Sequence, residues 1–157
     1  MKLKFLVFEN KAAAWVEAAR TDYVAKIKPF FPLEFVALKS PHAERENSEV
    51  KKRKEAELLF KHIGKKDHLI LFDEAGKTFS ASEDFAKALS RVLESGKAQT
   101  VFCIGGPYGF DESVLKRSAA RWSLSGLTLN HWLAQIVALE QIYRGLTILK
   151  GIPYHNR

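Results

Sequence analysis

The stretch Thr100-Val101-Phe102-Cys103-Ile104-Gly105-Gly106-Pro107-Tyr108-Gly109 decides how this chain is read. Residues 100–104 are a strand candidate, and the strand then runs out into glycines. Such a strand leaves bare backbone that a ligand can approach closely. Further on comes an uncharged run, Trp122-Ser123-Leu124-Ser125-Gly126-Leu127-Thr128-Leu129-Asn130, which ends at His131. Two loops of this kind side by side predict a pocket for a flat, only partly polar ligand. Alone, the glycine run is a weak signal. No Gly-Lys-Ser/Thr follows it, so it is not a P-loop, and it lacks the spacing of the dinucleotide fingerprint.

Working outward, Lys2–Phe8, Leu33–Leu38 and residues 68–72 read as further strands, with residues 121–125 as a short last one. Residues 73–77 (Asp-Glu-Ala-Gly-Lys) read as a turn. Helices are expected over residues 12–28, over 50–63 with Ser48 as N-cap, over 83–95 capped by Ser82, and over 111–117 and 131–149. Strands that alternate with helices predict an α/β fold, a mostly parallel sheet flanked by helices. With no repeat, low-complexity tract or linker, residues 1–157 read as one domain. The terminal helix carries apolar residues at Trp132, Leu133, Ile136, Val137, Leu139, Ile142, Tyr143, Leu146, Ile148 and Leu149, wider than one stripe. A surface helix needs a single apolar face, so a homodimer is expected.

The formal net charge of +7 and pI near 9.5 point to an anionic partner. Residues 1–66 hold 15 Lys and Arg against 9 Asp and Glu, whereas residues 67–157 hold 10 against 9. The excess therefore sits away from the glycine-rich pocket, which predicts a polyanion site in the first half and a small-ligand site in the second. Lys51-Lys52-Arg53-Lys54 opens the second helix against its own dipole. That cluster is either a solvated face or a set of phosphate contacts. No apolar run approaches the roughly 20 residues a membrane span needs. Residues 1–8 are too short for a signal peptide and read as a strand. The lone Cys103 excludes an internal disulfide and fits a reducing cytoplasm; its apolar strand marks it as a buried small residue. His42, His62 and His68 lack ligand spacing, so no metal site is expected.

Several pieces, in order and spacing, resemble the RlmH family of small bacterial ribosomal RNA large-subunit methyltransferases, within the SPOUT (α/β-knot) superfamily. They are Ile104-Gly105-Gly106-Pro-x-Gly109, Trp122-Ser123-Leu124-Ser125-x-Leu127-Thr128-Leu129-x-His131, Glu140-x-x-Tyr143-Arg144 and Pro153-Tyr154-His155, together with Gly76-Lys77 after the third strand. The resemblance covers essentially the whole chain. It implies a trefoil knot at the C-terminal end, which pattern reasoning would not propose, and an obligate homodimer. It also implies S-adenosylmethionine as cofactor and methyl transfer to N3 of a pseudouridine (1915-equivalent) in the helix 69 loop of 23S rRNA, within the assembled ribosome. By motif position, Phe72, Gly106, Ser125, Gly126, Leu127, Thr128, Leu129 and Asn130 would line the cofactor site.

The residue chemistry agrees with that implication. Adenine needs apolar walls and a few backbone hydrogen bonds, which Gly, Leu and Thr supply. A sulfonium methyl is already activated, so transfer needs positioning first. The pseudouridine N3 proton must also leave, which calls for a base or relay near neutrality. His155 is the first candidate for that base, with Tyr154 to stack on or orient the nucleobase and Arg144 to bind phosphate or a developing oxyanion. Against these stand an unordered terminus for His155 and a plain ion pair with Glu140 for Arg144. His131 reads as a helix cap or a base. Lys51, Lys52 and Arg53 are the RNA-binding candidates. Two positions depart from the family pattern: Asn130 replaces a usual proline, which would loosen the cofactor loop, and Gln135 replaces a usual arginine. The last residues, Asn156-Arg157, shift a basic group by one position. A non-catalytic RNA- or ribosome-binding protein on the same scaffold is the alternative reading. A flavodoxin-like nucleotide module would need a phosphate cradle at a helix N-terminus, which Pro107-Tyr108 suits poorly.

Overall fold

Five strands form one parallel sheet in the computed structural model, which describes residues 1–156. In chain order the elements are β1 Lys2–Phe8, α1 Ala14–Ile27, β2 Leu33–Leu38, α2 Ser48–His62, β3 His68–Lys77, α3 Ser82–Leu93, β4 Gln99–Ile104, α4 Glu112–Arg117, β5 Ala120–Trp122 and α5 His131–Lys150. The sheet order is β2-β1-β4-β3-β5. Strand β1 pairs with β2 from Leu3↔Leu33 to Phe8↔Leu38 and with β4 from Lys2↔Gln99 to Val7↔Ile104. Arg157, the end of the tail, lies outside the described residues.

The period-two pattern of the strands builds a core on each face. Leu3, Phe5, Val7, Ile70, Phe72, Phe102 and Ile104 pack with Ile27, Phe85, Leu89, Leu139 and Ile142 of α1, α3 and α5. The intervening Leu6, Phe8, Leu69, Leu71, Val101 and Cys103 pack with Ala56 and Leu59 of α2 and Val114 of α4. Covering on both faces is why these strands are nearly continuous apolar runs. Steps toward the β2 edge, β1 to β2 and β3 to β4, carry α1 and α3 on one face. Steps toward the β5 edge carry α2 and α4 on the other, as a single crossover hand requires. Cys103 is fully buried, and burial pushes its thiol pKa up, so it behaves as a small core residue.

Four local expectations are corrected. Residues 73–77 do not form a simple turn: β3 continues to Lys77, and both Phe72 and Lys77 register with Trp122. Gly76 makes this possible, because a Cβ there would sit 2.6 Å from the Arg121 carbonyl carbon. Asn47, rather than Ser48, caps α2 by accepting the Val50 N–H at 2.9 Å. Ser82 does not cap α3, since its hydroxyl is engaged by Gln141 of α5 at 2.8 Å and no side chain caps that helix. The last strand stops at Trp122, and Ser123 Oγ donates instead to the Ser125 carbonyl at 3.1 Å.

Candidate functional site

The C-terminal ends of β3, β4 and β5 open into a cavity of about 510 Å³. Parallel sheets place ligands at this end of their strands, and the volume suits a small organic molecule. Phe72, Asp73 and Glu74 come from β3; Ile104 and residues 105–110 follow from β4. Residues 123–125 and 127–129 complete the wall with His131 and Ala134 of α5. Beneath it, the Trp122 ring meets those of Phe72, Phe79, Phe85 and Phe102 at 5.3–6.2 Å, a stiff aromatic floor.

Glycine shapes the β4 loop. Gly109 takes φ +84 and donates its N–H to the Gly106 carbonyl at 3.1 Å, closing the turn that presents Tyr108. Gly106 has no room for a side chain, because an added Cβ would lie 2.6 Å from Glu55 Oε2. On the opposite loop, Ser125 Oγ accepts the Leu127 N–H at 2.9 Å and leaves the Leu127 side chain 77% exposed at the rim. An apolar residue so open at the mouth of a cavity is available to cover a flat ligand. The walls combine apolar side chains and backbone with the polar Tyr108, Ser123, Ser125, Thr128 and His131, and they include Asp73 and Glu74 but no lysine or arginine. This donor set fits a nucleoside carrying a cationic sulfonium far better than a polyphosphate.

Of the eight cofactor residues expected from the sequence, Phe72, Gly106, Ser125, Leu127, Thr128 and Leu129 line the cavity, and Gly126 and Asn130 do not. Asn130 is the N-cap of α5, accepting the Trp132 N–H at 2.9 Å. It therefore ties the end of the loop to the first turn of α5. His131 is not the cap; it is the first helical residue and part of the cavity wall. Burial lowers its pKa, and its buried Nε2 has no hydrogen-bond partner. Gln135 is fully buried, donating to Glu9 at 2.8 Å and accepting from Arg20 at 3.1 Å. The positive charge at this place comes from α1, through the Arg20–Glu9 ion pair at 2.8 Å.

The C-terminal candidates gather elsewhere. Arg144 Nε donates to Glu140 at 3.0 Å, and the Tyr154 hydroxyl donates to the same carboxylate at 3.1 Å. Arg144 also donates to His155 Nδ1 at 3.1 Å, and its guanidinium lies 4.7 Å from the Tyr154 ring centroid. His155 Nε2 bonds to Glu83 of α3. Arginine has no acceptor, so Nδ1 carries the lone pair and Nε2–H donates to Glu83. Burial first, and then the bond to Glu140, pushes the Tyr154 pKa up to about 12. Arg144, Tyr154 and His155 thus form one cluster on α3 and α5, and none of them lines the cavity of the same chain. The ion pair with Glu140 expected for Arg144 is present, and the same guanidinium also holds His155 of the tail.

The basic helix divides. Arg53 is exposed and Lys52 is half-buried beside Glu49 at 2.9 Å, whereas Lys51 is buried and donates to the Tyr108 hydroxyl at 3.1 Å. Tyr108 and His131 lie in the two runs expected to form the pocket, whereas Glu74, Phe110 and Ala134 were missed as lining residues; Glu74 and Phe110 stand close to those pieces in sequence, and that adjacency was their only signal. Among the described residues, no group of three His, Cys, Asp or Glu is placed to hold a metal ion, and no helix is long and apolar enough to cross a membrane.

Fold and cavity together describe an α/β protein with a ligand-sized cavity at its parallel strand ends. A family model described as "Predicted SPOUT methyltransferase" matches residues 1–155, and the chain belongs to that family. It is also 38% identical over 156 residues to a ribosomal RNA large subunit methyltransferase H of Bdellovibrio bacteriovorus, covering 98% of this chain and 99% of that one. A protein of the same name from Flavobacterium psychrophilum is 41% identical over 160 residues, covering all of both chains. One from Cytophaga hutchinsonii is 33% identical over 156 residues, covering 99% of this chain and 100% of its own.

Proposed function

We propose that this chain is a cytoplasmic methyltransferase that uses S-adenosylmethionine to methylate N3 of a pseudouridine, the 1915-equivalent in the helix 69 loop of 23S rRNA. It acts on the assembled ribosome, as a knotted homodimer formed by a single domain. The observation that carries this reading is the cavity itself, whose wall unites Phe72, Gly106 and the loop around Leu127. The relatives' shared name supports ribosomal RNA as the substrate.

The cofactor would supply an activated methyl group. Phe72, Leu127 and Leu129 bound its flat part, and the bare backbone at Gly106 allows close approach. Asp73 and Glu74 at the rim suit ligand hydroxyls and an ammonium group. The other reacting centre needs a proton removed from N3, and His155 is the group assigned to take it. In the arrangement described above, both of its ring nitrogens are engaged. Its Nδ1 becomes a base only when the Arg144 contact opens, which substrate phosphate competing for that guanidinium would promote. Because the tail is docked away from its own cavity, a second copy is the natural recipient of Tyr154 and His155. Exposed Leu133, Leu149 and Ile152 on and after α5, with Trp15 on α1, supply apolar surface for that pairing.

Calorimetry with S-adenosylmethionine tests the cavity: saturable heat is expected, and none would favour a non-catalytic ribosome-binding protein. That alternative drew on Asn130 and Gln135, and both now have structural partners. Mass spectrometry of 23S rRNA from cells with and without the gene tests the target, with one mapped methyl group expected to disappear. Reversing Lys52 and Arg53 to glutamate should weaken ribosome binding and flatten its log-log salt dependence by about one unit per cation. Unchanged binding at low salt would show that this face of α2 is only solvated.

A further inference from the structure

Behind the glycine loop stands a buried carboxylate that does not line the cavity. Glu55 of α2 is 6% exposed, and its Oε1 accepts the Gly106 N–H at 3.3 Å. Its Oε2 meets His42 Nε2 at 2.9 Å, from the polar loop that precedes α2. The same oxygen would lie 2.6 Å from a Cβ on Gly106, so the carboxylate presses against that α-carbon. One turn earlier on this face of α2, Lys51 is 5% exposed. Its ammonium donates to the Tyr108 hydroxyl at 3.1 Å and lies 4.6 Å from the ring centroid. The loop is therefore gripped twice from outside, at its second glycine and at its aromatic tip.

Two charged residues taken out of water within one helical turn are costly unless each finds a specific partner. Both partners here belong to the glycine loop, with His42 completing the carboxylate's set. The Glu55 charge is also felt at the end of β4 and across the cavity: it raises the Cys103 pKa after burial does, and it acts upward on His131 after Glu9. A loop with glycines at 105, 106 and 109 has wide conformational freedom when released. Ordering such a loop at the moment of binding costs affinity.

We propose that Glu55, held by His42 and assisted by Lys51, is a positioning residue that sets the shape of the 105–109 loop and thereby the affinity for the methyl donor. It does so without touching the ligand. This rests on reading the cavity as the donor site.

Glu55→Ala should raise KM for S-adenosylmethionine about 10-fold while kcat at saturating donor stays within about twofold. Glu55→Gln keeps an acceptor for the Gly106 N–H and should recover most of the loss. Leu89→Ala, which removes a buried side chain from α3, should lower Tm with KM unchanged. Equal KM effects from Glu55→Ala and Leu89→Ala at matched Tm would overturn the proposal, as would a Glu55→Gln variant no better than alanine. Hydrogen exchange of the ligand-free proteins provides an arm that does not depend on the donor. The 105–109 segment should exchange faster in Glu55→Ala than in wild type and near the wild-type rate in Glu55→Gln. Unaltered exchange there would also overturn it. If wild type showed no heat with S-adenosylmethionine, the functional reading would fail while the exchange measurement still decided the clamp.

Discussion

The cavity and the C-terminal tail are built from opposite materials. The cavity is mostly backbone and apolar or uncharged side chain, with Asp73 and Glu74 among its lining, set at the ends of three paired strands beside the Trp122 aromatic cluster. The tail is held mainly by polar side chains, Arg144, Tyr154 and His155 on the carboxylates of Glu140 and Glu83, with the Tyr154 ring also set against Tyr143 at 4.7 Å. A packed, paired wall resists change because any shift loses many contacts at once. Part-exposed ionic contacts are individually weak and exchange readily for water or another anion. One end of the molecule is thus suited to hold a ligand in a fixed place, and the other to let go of its own chain and meet a partner.

The widest separation between the two regions should come from removing residues 154–157. Methylation is expected to fall by more than about 100-fold, the usual contribution of a positioned acid or base, with donor affinity by calorimetry largely intact. Turnover at the wild-type rate would take the tail out of the mechanism. A substitution in the rigid region should act on stability instead. Gly76→Ala places a methyl group against the Arg121–Trp122 backbone, and overpacking of this kind costs about 1–3 kcal/mol, to be read from Tm and denaturant midpoints. Gly126→Ala on the exposed loop meets nothing within 4 Å and should change stability by less than about 0.5 kcal/mol. Equal losses at the two glycines would break the contrast between paired wall and open rim.

The smallest effect is spectroscopic. With its pKa pushed from the ordinary 10.0 to about 12, first by burial and then by Glu140, the Tyr154 phenol is favoured in the docked tail. A raised folded-state value means that this docking is fully supported below pH 10 and lost as pH rises from 10 toward 12. Difference absorbance at 295 nm between wild type and Tyr154→Phe should therefore show one phenolate appearing near pH 12. A midpoint at 10 would mean that the tail is undocked in solution.

Strands β1 and β2 have the bounds expected from sequence because Lys2–Phe8 and Leu33–Leu38 are apolar runs closed by polar or proline residues. The cavity was largely legible too: six residues named from motif position line it. What was not legible has a common cause. Ser48 and Ser82 are both good caps on paper; Ser48 yielded to the adjacent Asn47, an equally good cap that pattern alone could not rank below it, and Ser82 to Gln141, 59 residues away. Lys51-Lys52-Arg53-Lys54 reads as a single charged patch, yet Lys51 is buried against Tyr108, Lys52 and Lys54 are half-buried, and Arg53 alone of the four is exposed. A linear pattern of charge cannot say which side of a helix will meet a loop that lies 57 residues away.

Alternating apolar strands and helices, the glycines at 105, 106 and 109, and the neutral run before His131 determine a parallel α/β sheet with a ligand loop at its strand ends. These are local properties, since backbone freedom and side-chain period act over a few residues. Only the tertiary structure decided that Glu55 stands behind Gly106, that Arg20 supplies the charge beside Gln135, and that Tyr154 and His155 rest on Glu140 and Glu83. Each of those contacts joins groups from separate parts of the chain, and its energy exists only once the fold has brought them within hydrogen-bonding reach.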